Sequence, residues 1–329
     1  MNLSSFIGND DVKNTINRAF ISGRLPHALI LQGEDGLGKH TLARLIAKAV
    51  VCRKDKLVAP CGQCPSCVRA EAGSHPDIRV VEGTGASKSI SVESVRKITA
   101  DAYRMPEEAD YNVYIISAGN GMSKESQNKL LKIIEEPPDG TLFIFIIRSA
   151  DSLLATIRSR ATILTLHPVK PHEAVDYVSS SLENESGKIS EAVELFGGNI
   201  GKILEYISGE QTSAAHDIAS QIAAGVATAN EHQLLAIMAP MIKDKQLFSD
   251  VADNLYLIFR DACVLREGSN IQIGTDRKSA EVLSQSQTKA RLVKLPEICT
   301  RYSGYCRRNA NMALLVTAFC AELRATLLK

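Results

Sequence analysis

Four cysteines, Cys52, Cys61, Cys64 and Cys67, follow the spacing C-x8-C-x2-C-x2-C. Thiolates two residues apart match the bite of tetrahedral Zn2+, and four of them close its shell with no position left for a substrate. This donor set predicts a structural zinc site. Pro60, Gly62 and Pro65 supply the tight turns between the ligands. Iron–sulfur clusters also use C-x2-C-x2-C runs, although no redox partner motif accompanies this one. Cys263, Cys299, Cys306 and Cys320 are scattered later in the chain and read as core residues.

Just upstream, Gly33-Glu34-Asp35-Gly36-Leu37-Gly38-Lys39 has the spacing of a phosphate-binding loop. Gly33, Gly36 and Gly38 let backbone N–H groups curl around phosphate oxygens, and Lys39 reaches toward the terminal phosphates. The next residue is His40, where such a loop carries a Ser or Thr hydroxyl for Mg2+. Imidazole is a poor ligand for a hard cation that prefers oxygen. Thr41, the nearest substitute, is turned about 100° around the helix. Hydrolysis also needs an Asp and a Glu at the end of a neighbouring strand. The run Val113–Ile116 leads instead into Ser117-Ala118-Gly119-Asn120. Two losses at one reaction centre predict that this chain does not hydrolyse ATP, and that it holds ATP or ADP weakly or not at all.

The elements that must position these residues fall into two patterns. Up to about residue 166, short apolar runs (Ala28–Leu31, Ile78–Val81, Val113–Ile116, Leu142–Ile147) alternate with helical stretches such as Val92–Tyr103 and Lys124–Glu135. Continuous apolar strands separated by helices imply a parallel sheet covered on both faces, an α/β fold. After Pro168 and Pro171 the chain reads as helix after helix. A small unit over 167–208 holds helical stretches near His172–Leu182 and Ile189–Leu195, stopped by Gly197-Gly198. An all-helical segment over 209–329 contains long amphipathic runs such as Leu234–Leu265 and Ala313–Leu328.

A length of 329 residues accommodates two or three domains. A net charge of +1 excludes binding of nucleic acid by bulk charge, and 5% aromatics with no Trp argue against stacking platforms for single strands. No apolar run spans a bilayer, and the N-terminus lacks the basic and apolar regions of a signal peptide. The expectation is a cytoplasmic protein with reduced or metal-bound thiols.

Taken together, these motifs resemble the clamp-loader branch of AAA+ proteins. Ile7-Gly8-Asn9, Gly23-Arg24-Leu25-Pro26-His27-Ala28, the loop and the cysteine insertion come in that family's order. Asn128-Lys129-Leu130-Leu131-Lys132-Ile133-Ile134-Glu135-Glu136-Pro137-Pro138 is similar to its most recognisable run. Leu153-Leu154-Ala155-Thr156-Ile157-Arg158-Ser159-Arg160 is similar to its Ser-Arg-Cys segment, with Ala161 in place of Cys, and Asn309-Ala310-Asn311 adds a weaker match. The resemblance implies a nucleotide module (1–166, with the zinc insertion at 52–67), a helical lid (167–208) and a helical collar (209–329). Composition alone makes Arg158 and Arg160 a solvated pair, whereas the Ser-Arg context assigns Arg160 as an arginine finger for a neighbouring subunit's ATP. Gly201, within Gly198-Asn199-Ile200-Gly201-Lys202, stands where active members carry a γ-phosphate-sensing arginine. Ile147-Arg148-Ser149 lacks the usual Thr or Asn that positions water.

The implied role is a non-hydrolysing, stator-like subunit of a bacterial DNA polymerase III clamp loader. Its partners would be the loader's ATPase subunits and delta subunit in a hetero-pentamer, with the sliding clamp and primer-template DNA met through the complex. The alternatives are an active loader ATPase and a zinc-bearing P-loop regulator outside replication.

Overall fold

The computed structural model describes residues 1–83, 90–118, 122–182, 186–208, 212–226, 230–268, 276–307 and 310–328. Gly119, Asn120 and Asn309 of the motifs above lie outside the described residues. The chain divides into two compact units, Met1–Glu173 and Ala174–Lys329.

In the first unit the elements run α1 (Asp10–Ile21), β1 (Ala28–Gln32), α2 (Lys39–Val50), α3 (Pro65–Glu71), β2 (Ile78–Glu82) and α4 (Val92–Asp101). They continue with β3 (Asn112–Ser117), α5 (Lys124–Glu135), β4 (Thr141–Ile147), α6 (Ala155–Arg158) and β5 (Thr162–Thr165). Among the described residues the strands form one five-stranded sheet in the order β2-β3-β4-β1-β5. All of its pairings are parallel.

Alternation along the strands divides the core. Leu29, Leu31, Ile144 and Ile146 face α2, where Leu42 and Ile46 join them. Ala28, Ile30, Tyr114, Phe143 and Phe145 pack on the other face with Ile98, Leu130, Ile133 and Ile134 of α4 and α5. Every residue of β4 is buried, which is why its sequence from Leu142 onward is uniformly apolar rather than alternating. The edge strands β2 and β5 are half-buried and mix polar with apolar residues. The short and polar β5 gave no strand signal in the sequence.

Gly140 turns the chain into β4 with φ of +68°, and a Cβ there would lie 2.5 Å from the Asp110 carbonyl oxygen. The backbone angle and the close approach both select glycine. Gly140→Ala is expected to destabilise the first unit by roughly 1–3 kcal/mol. That would read as an earlier midpoint of its denaturant transition, and an unchanged midpoint would refute the assignment.

The second unit is helical. It draws on α7 (Pro171–Ser181), α8 (Ser186–Phe196), α9 (Ile200–Ser208), α10 (Thr212–Gly225), α11 (Glu231–Met238) and α12 (Lys245–Arg266). The remaining helices are α13 (Arg277–Ser286), α14 (Lys289–Leu292), α15 (Lys294–Arg307) and α16 (Met312–Leu328). One hydrophobic cluster gathers residues between Ala215 and Leu327, with Phe248, Leu255, Phe259 and Phe319 among them. Cys299, Cys306 and Cys320 lie within it, buried, as their scattered positions predicted.

The expected continuous stretch Leu234–Leu265 is broken. Pro240 lacks the N–H a helix interior needs, so α11 ends in a tight turn over Ala239–Ile242. Asp244 then starts α12 by accepting the backbone N–H groups of Gln246 and Leu247 at 2.9 and 3.0 Å. Among the described residues, no helix is long and apolar enough to cross a membrane.

Candidate functional site

β1 ends at Gln32, and the chain turns through Gly33 to Gly38 into α2. Gly38 precedes the first helical residue with φ of +78°, and a Cβ there would meet the Phe6 ring at 2.9 Å. No acidic residue occupies the first turn of α2, which leaves the helix's N-terminal partial positive charge to the loop.

Lys39 is only 6% exposed. Its Nζ donates to the carbonyl oxygens of Gly33 and Glu34 at 2.5 and 2.6 Å. Burial pushes its ammonium below the usual range, against the pull of Asp35. The Asp35 carboxylate accepts from Arg148 Nε at 2.8 Å and from a second guanidinium nitrogen. Burial opposes ionisation of Asp35, but Arg148 and then Lys39 outweigh it and hold the carboxyl below the ordinary range. Arg148 reaches the loop because the register of β1 on β4 sets Gln32 against Ile147. The Gly33 N–H donates to the Arg148 carbonyl at 3.1 Å. The sequence marked Arg148 only as a missing Thr or Asn; its pairing with Asp35 depends on a strand register no local pattern reveals.

The two substituted catalytic positions meet. His40 Nε2 lies 3.3 Å from Ser117 Oγ at the end of β3. Burial lowers the His40 pKa, against the pull of Glu82, so the ring is neutral near pH 7. An imidazole nitrogen and one hydroxyl are not the oxygen donor set that Mg2+ selects. Ala118 is buried and Thr41 is exposed, and neither supplies a carboxylate.

The four cysteines converge. Their sulfurs all lie within 4.8 Å of one another, with Cys52–Cys64 at 4.0 Å and Cys61–Cys67 at 3.9 Å. A tetrahedral Zn–S length near 2.3 Å corresponds to S–S separations of about 3.8 Å. Cys52 follows the end of α2, while Cys64 caps α3 and Cys67 sits in its first turn. The Cys61 and Cys64 sulfurs accept the backbone N–H groups of Cys64 and Cys67, each at 3.4 Å. Such bonds orient thiolate lone pairs and reduce sulfur charge around a metal. Helix α3 itself was not foreseen. The four thiols could hold a metal ion, and their soft donor set fits zinc.

Arg160 lies just past α6, 41% exposed by its side chain, with NH2 3.2 Å from Glu135 Oε1. Its NH1 donates to the Thr156 carbonyl at 3.1 Å. Arg158 turns elsewhere, onto Asp151 at 2.6 Å. The run Asn128–Pro138 belongs to α5 and the turn after it, and α5 holds the arginine segment at both ends. Glu135 meets Arg160 at its C-terminus. Near its start the buried Gln127 donates to the Met122 and Ser152 carbonyls at 2.9 and 3.0 Å and accepts the Leu154 N–H at 2.6 Å. Gln127 is a positioning residue that the sequence gave no reason to single out.

In the second unit, the buried Asn199 caps α9 by accepting the Lys202 N–H at 3.2 Å. Gly201 and Lys202 are half-buried in that first turn.

A family model described as "DNA polymerase III, delta subunit" matches residues 8–170. Over 220 residues the chain is 27% identical to the DNA polymerase III subunit delta' of Escherichia coli, covering 67% of this chain and 66% of that protein. Over 187 residues it is 31% identical to the DNA polymerase III subunit gamma/tau of Mycobacterium tuberculosis, covering 57% of this chain. It spans only 32% of that longer protein. A gamma subunit-related protein of Thermotoga maritima shares the fold, with a TM-score of 0.50 at 15% identity over 95% of this chain and 99% of that one.

Proposed function

Because this chain belongs to the clamp-loader family of AAA+ proteins, we propose that it is the delta-prime-type subunit of a bacterial DNA polymerase III clamp loader, a stator that does not hydrolyse ATP. The observation that carries this reading is the contact of His40 with Ser117 at 3.3 Å, where a hydrolase needs a Mg2+-binding hydroxyl and a carboxylate. In this reading residues 1–166 are the nucleotide module, 167–208 the lid and 209–329 the collar that joins the ring. The partners are the loader's ATPase and delta subunits, with the sliding clamp and primed DNA reached through the complex in the cytoplasm. Cys52, Cys61, Cys64 and Cys67 bind one structural Zn2+. Gly33, Gly36, Gly38, Lys39 and Thr41 belong to a degenerate loop, and Arg160 serves the ATP site of the neighbouring subunit.

Similarity to gamma/tau sequences favours a second reading, an active loader ATPase, and the lost Mg2+ chemistry weighs against it. The purified chain is expected to turn over ATP no faster than background, with Lys39→Ala leaving that background unchanged. Mixed with the ATPase and delta subunits of one loader, it should enter a stable complex and raise clamp- and DNA-stimulated turnover. Hydrolysis by the isolated chain that falls with Lys39→Ala would establish the second reading. Failure to assemble would exclude both.

A further inference from the structure

Two cations of the phosphate loop converge on one anion. Arg148 grips one oxygen of the Asp35 carboxylate through Nε at 2.8 Å and a second nitrogen, and Lys39 Nζ lies 3.4 Å from the other. Carboxylate and phosphate offer guanidinium and ammonium groups the same thing, anionic oxygens set to accept charge-assisted hydrogen bonds. The geometry is that of an anion site filled from within. Its walls are fixed: Lys39 is the first residue of α2, and Arg148 directly follows β4. Asp35 sits in the loop between β1 and α2, its side chain 55% exposed against 6% for Lys39 and 35% for Arg148. Of the three, Asp35 is the most exposed and lies in the loop itself, so its side chain can swing outward without moving a helix or a strand.

We propose that Asp35 is an internal surrogate for phosphate, and that a nucleoside diphosphate or triphosphate binds this loop only when Asp35 swings out and hands Lys39 and Arg148 to the phosphate oxygens. Arg148, which stands where a water-positioning Thr or Asn would, becomes a phosphate ligand in that state. The affinity observed for nucleotide is then the intrinsic affinity reduced by the fraction of loops that are open. Removing the carboxylate abolishes that reduction.

The test is calorimetric titration of the full chain with ADP, without added magnesium, at constant ionic strength. Asp35→Ala is expected to tighten ADP binding roughly tenfold or more over the unsubstituted chain, the scale set by a minor open state of 10% or less. Asp35→Asn should give part of that gain, and it carries the test if the alanine variant does not fold. Adding Arg148→Ala to Asp35→Ala should remove most of the gain, and adding Lys39→Ala should abolish binding. Equal or weaker binding by Asp35→Ala, no binding by any variant, or a gain that survives Arg148→Ala would each overturn the proposal. None of these results touches the role of Arg160 in a neighbouring site, so this inference and the proposed function stand or fall separately.

Discussion

Metal analysis of the purified, reduced chain should return about one zinc per chain, and stripping that zinc should unfold the stretch from Cys52 to Glu71 while the parallel sheet stays folded. Its other anchors are few: the buried Ala59, whose carbonyl accepts the Asn2 N–H, and the ion pairs of Arg53 and Arg69 with Glu108 and of Glu71 with Lys48. Leu57, Val58 and Val68 are exposed rather than packed, and α3 is a single short helix. Sulfurs within 4.8 Å of one another need a cation between them once they ionise, because adjacent thiolates repel. Structural zinc contributes an apparent free energy of about 10–16 kcal/mol in small metal-dependent folds at neutral pH, against at most about 1 kcal/mol for each exposed ion pair. Cys64→Ser should act like chelation, since Cys64 caps α3 and would also be a ligand of the proposed zinc. Hydrogen exchange is expected to lose protection in α3 and at the end of α2, with β1, β3 and β4 still protected. Iron with inorganic sulfide in place of zinc, or a folded and reduced sample with no metal at all, would sink the assignment.

Replacing Arg160 with alanine should lower the ATPase of an assembled loader by the contribution of one site, while fold, zinc content and assembly stay as they were. Charge builds on the γ-phosphate as it transfers, and an arginine delivered by a neighbour accelerates that step by on the order of 10^3–10^5. Within the folded chain Arg160 does little: an exposed pair with Glu135 stabilises by at most about 1 kcal/mol. Releasing its guanidinium from α5 would thus cost little. Arg160→Lys should rescue poorly, because an ammonium cannot reproduce the planar fork. Arg158→Ala is the control, since Arg158 is turned onto Asp151, and it should leave turnover nearly unchanged. Full activity of a correctly assembled Arg160→Ala complex would return this residue to the role of a solvated loop arginine.

Legibility in the sequence followed the range of the interactions. The convergence of the four cysteines was readable because all of them fall within one short stretch of chain, at a spacing that suits a tetrahedral metal. Strands β1 and β4 were readable because burial on both faces forces uninterrupted apolar runs. The edge strand β5 was not, since it has only four residues, of which Thr162 and Thr165 are polar and Leu164 alone is buried. Phosphate-loop chemistry was half legible. His40 announces its own misfit, whereas Arg148 and Asp35 stand 113 positions apart and meet only through the register of β1 on β4. Gln127 was hidden for the same reason, two of its three partners being backbone groups of Ser152 and Leu154, more than twenty residues away.

The strand order β2-β3-β4-β1-β5 also sets a timetable for synthesis. β1 is the second-to-last position in the sheet but the first strand made, and both of its edges wait for β4 and β5. With elongation at about 5–20 residues per second, the apolar run Ala28–Leu31 stays unpaired for on the order of ten seconds. During that interval the four cysteines can converge and β2 can pair with β3, both being earlier in the chain. A ribosome halted before Thr141 therefore displays a nascent chain whose strand β1 is bare on both edges, and it is there that aggregation and chaperone capture compete with folding.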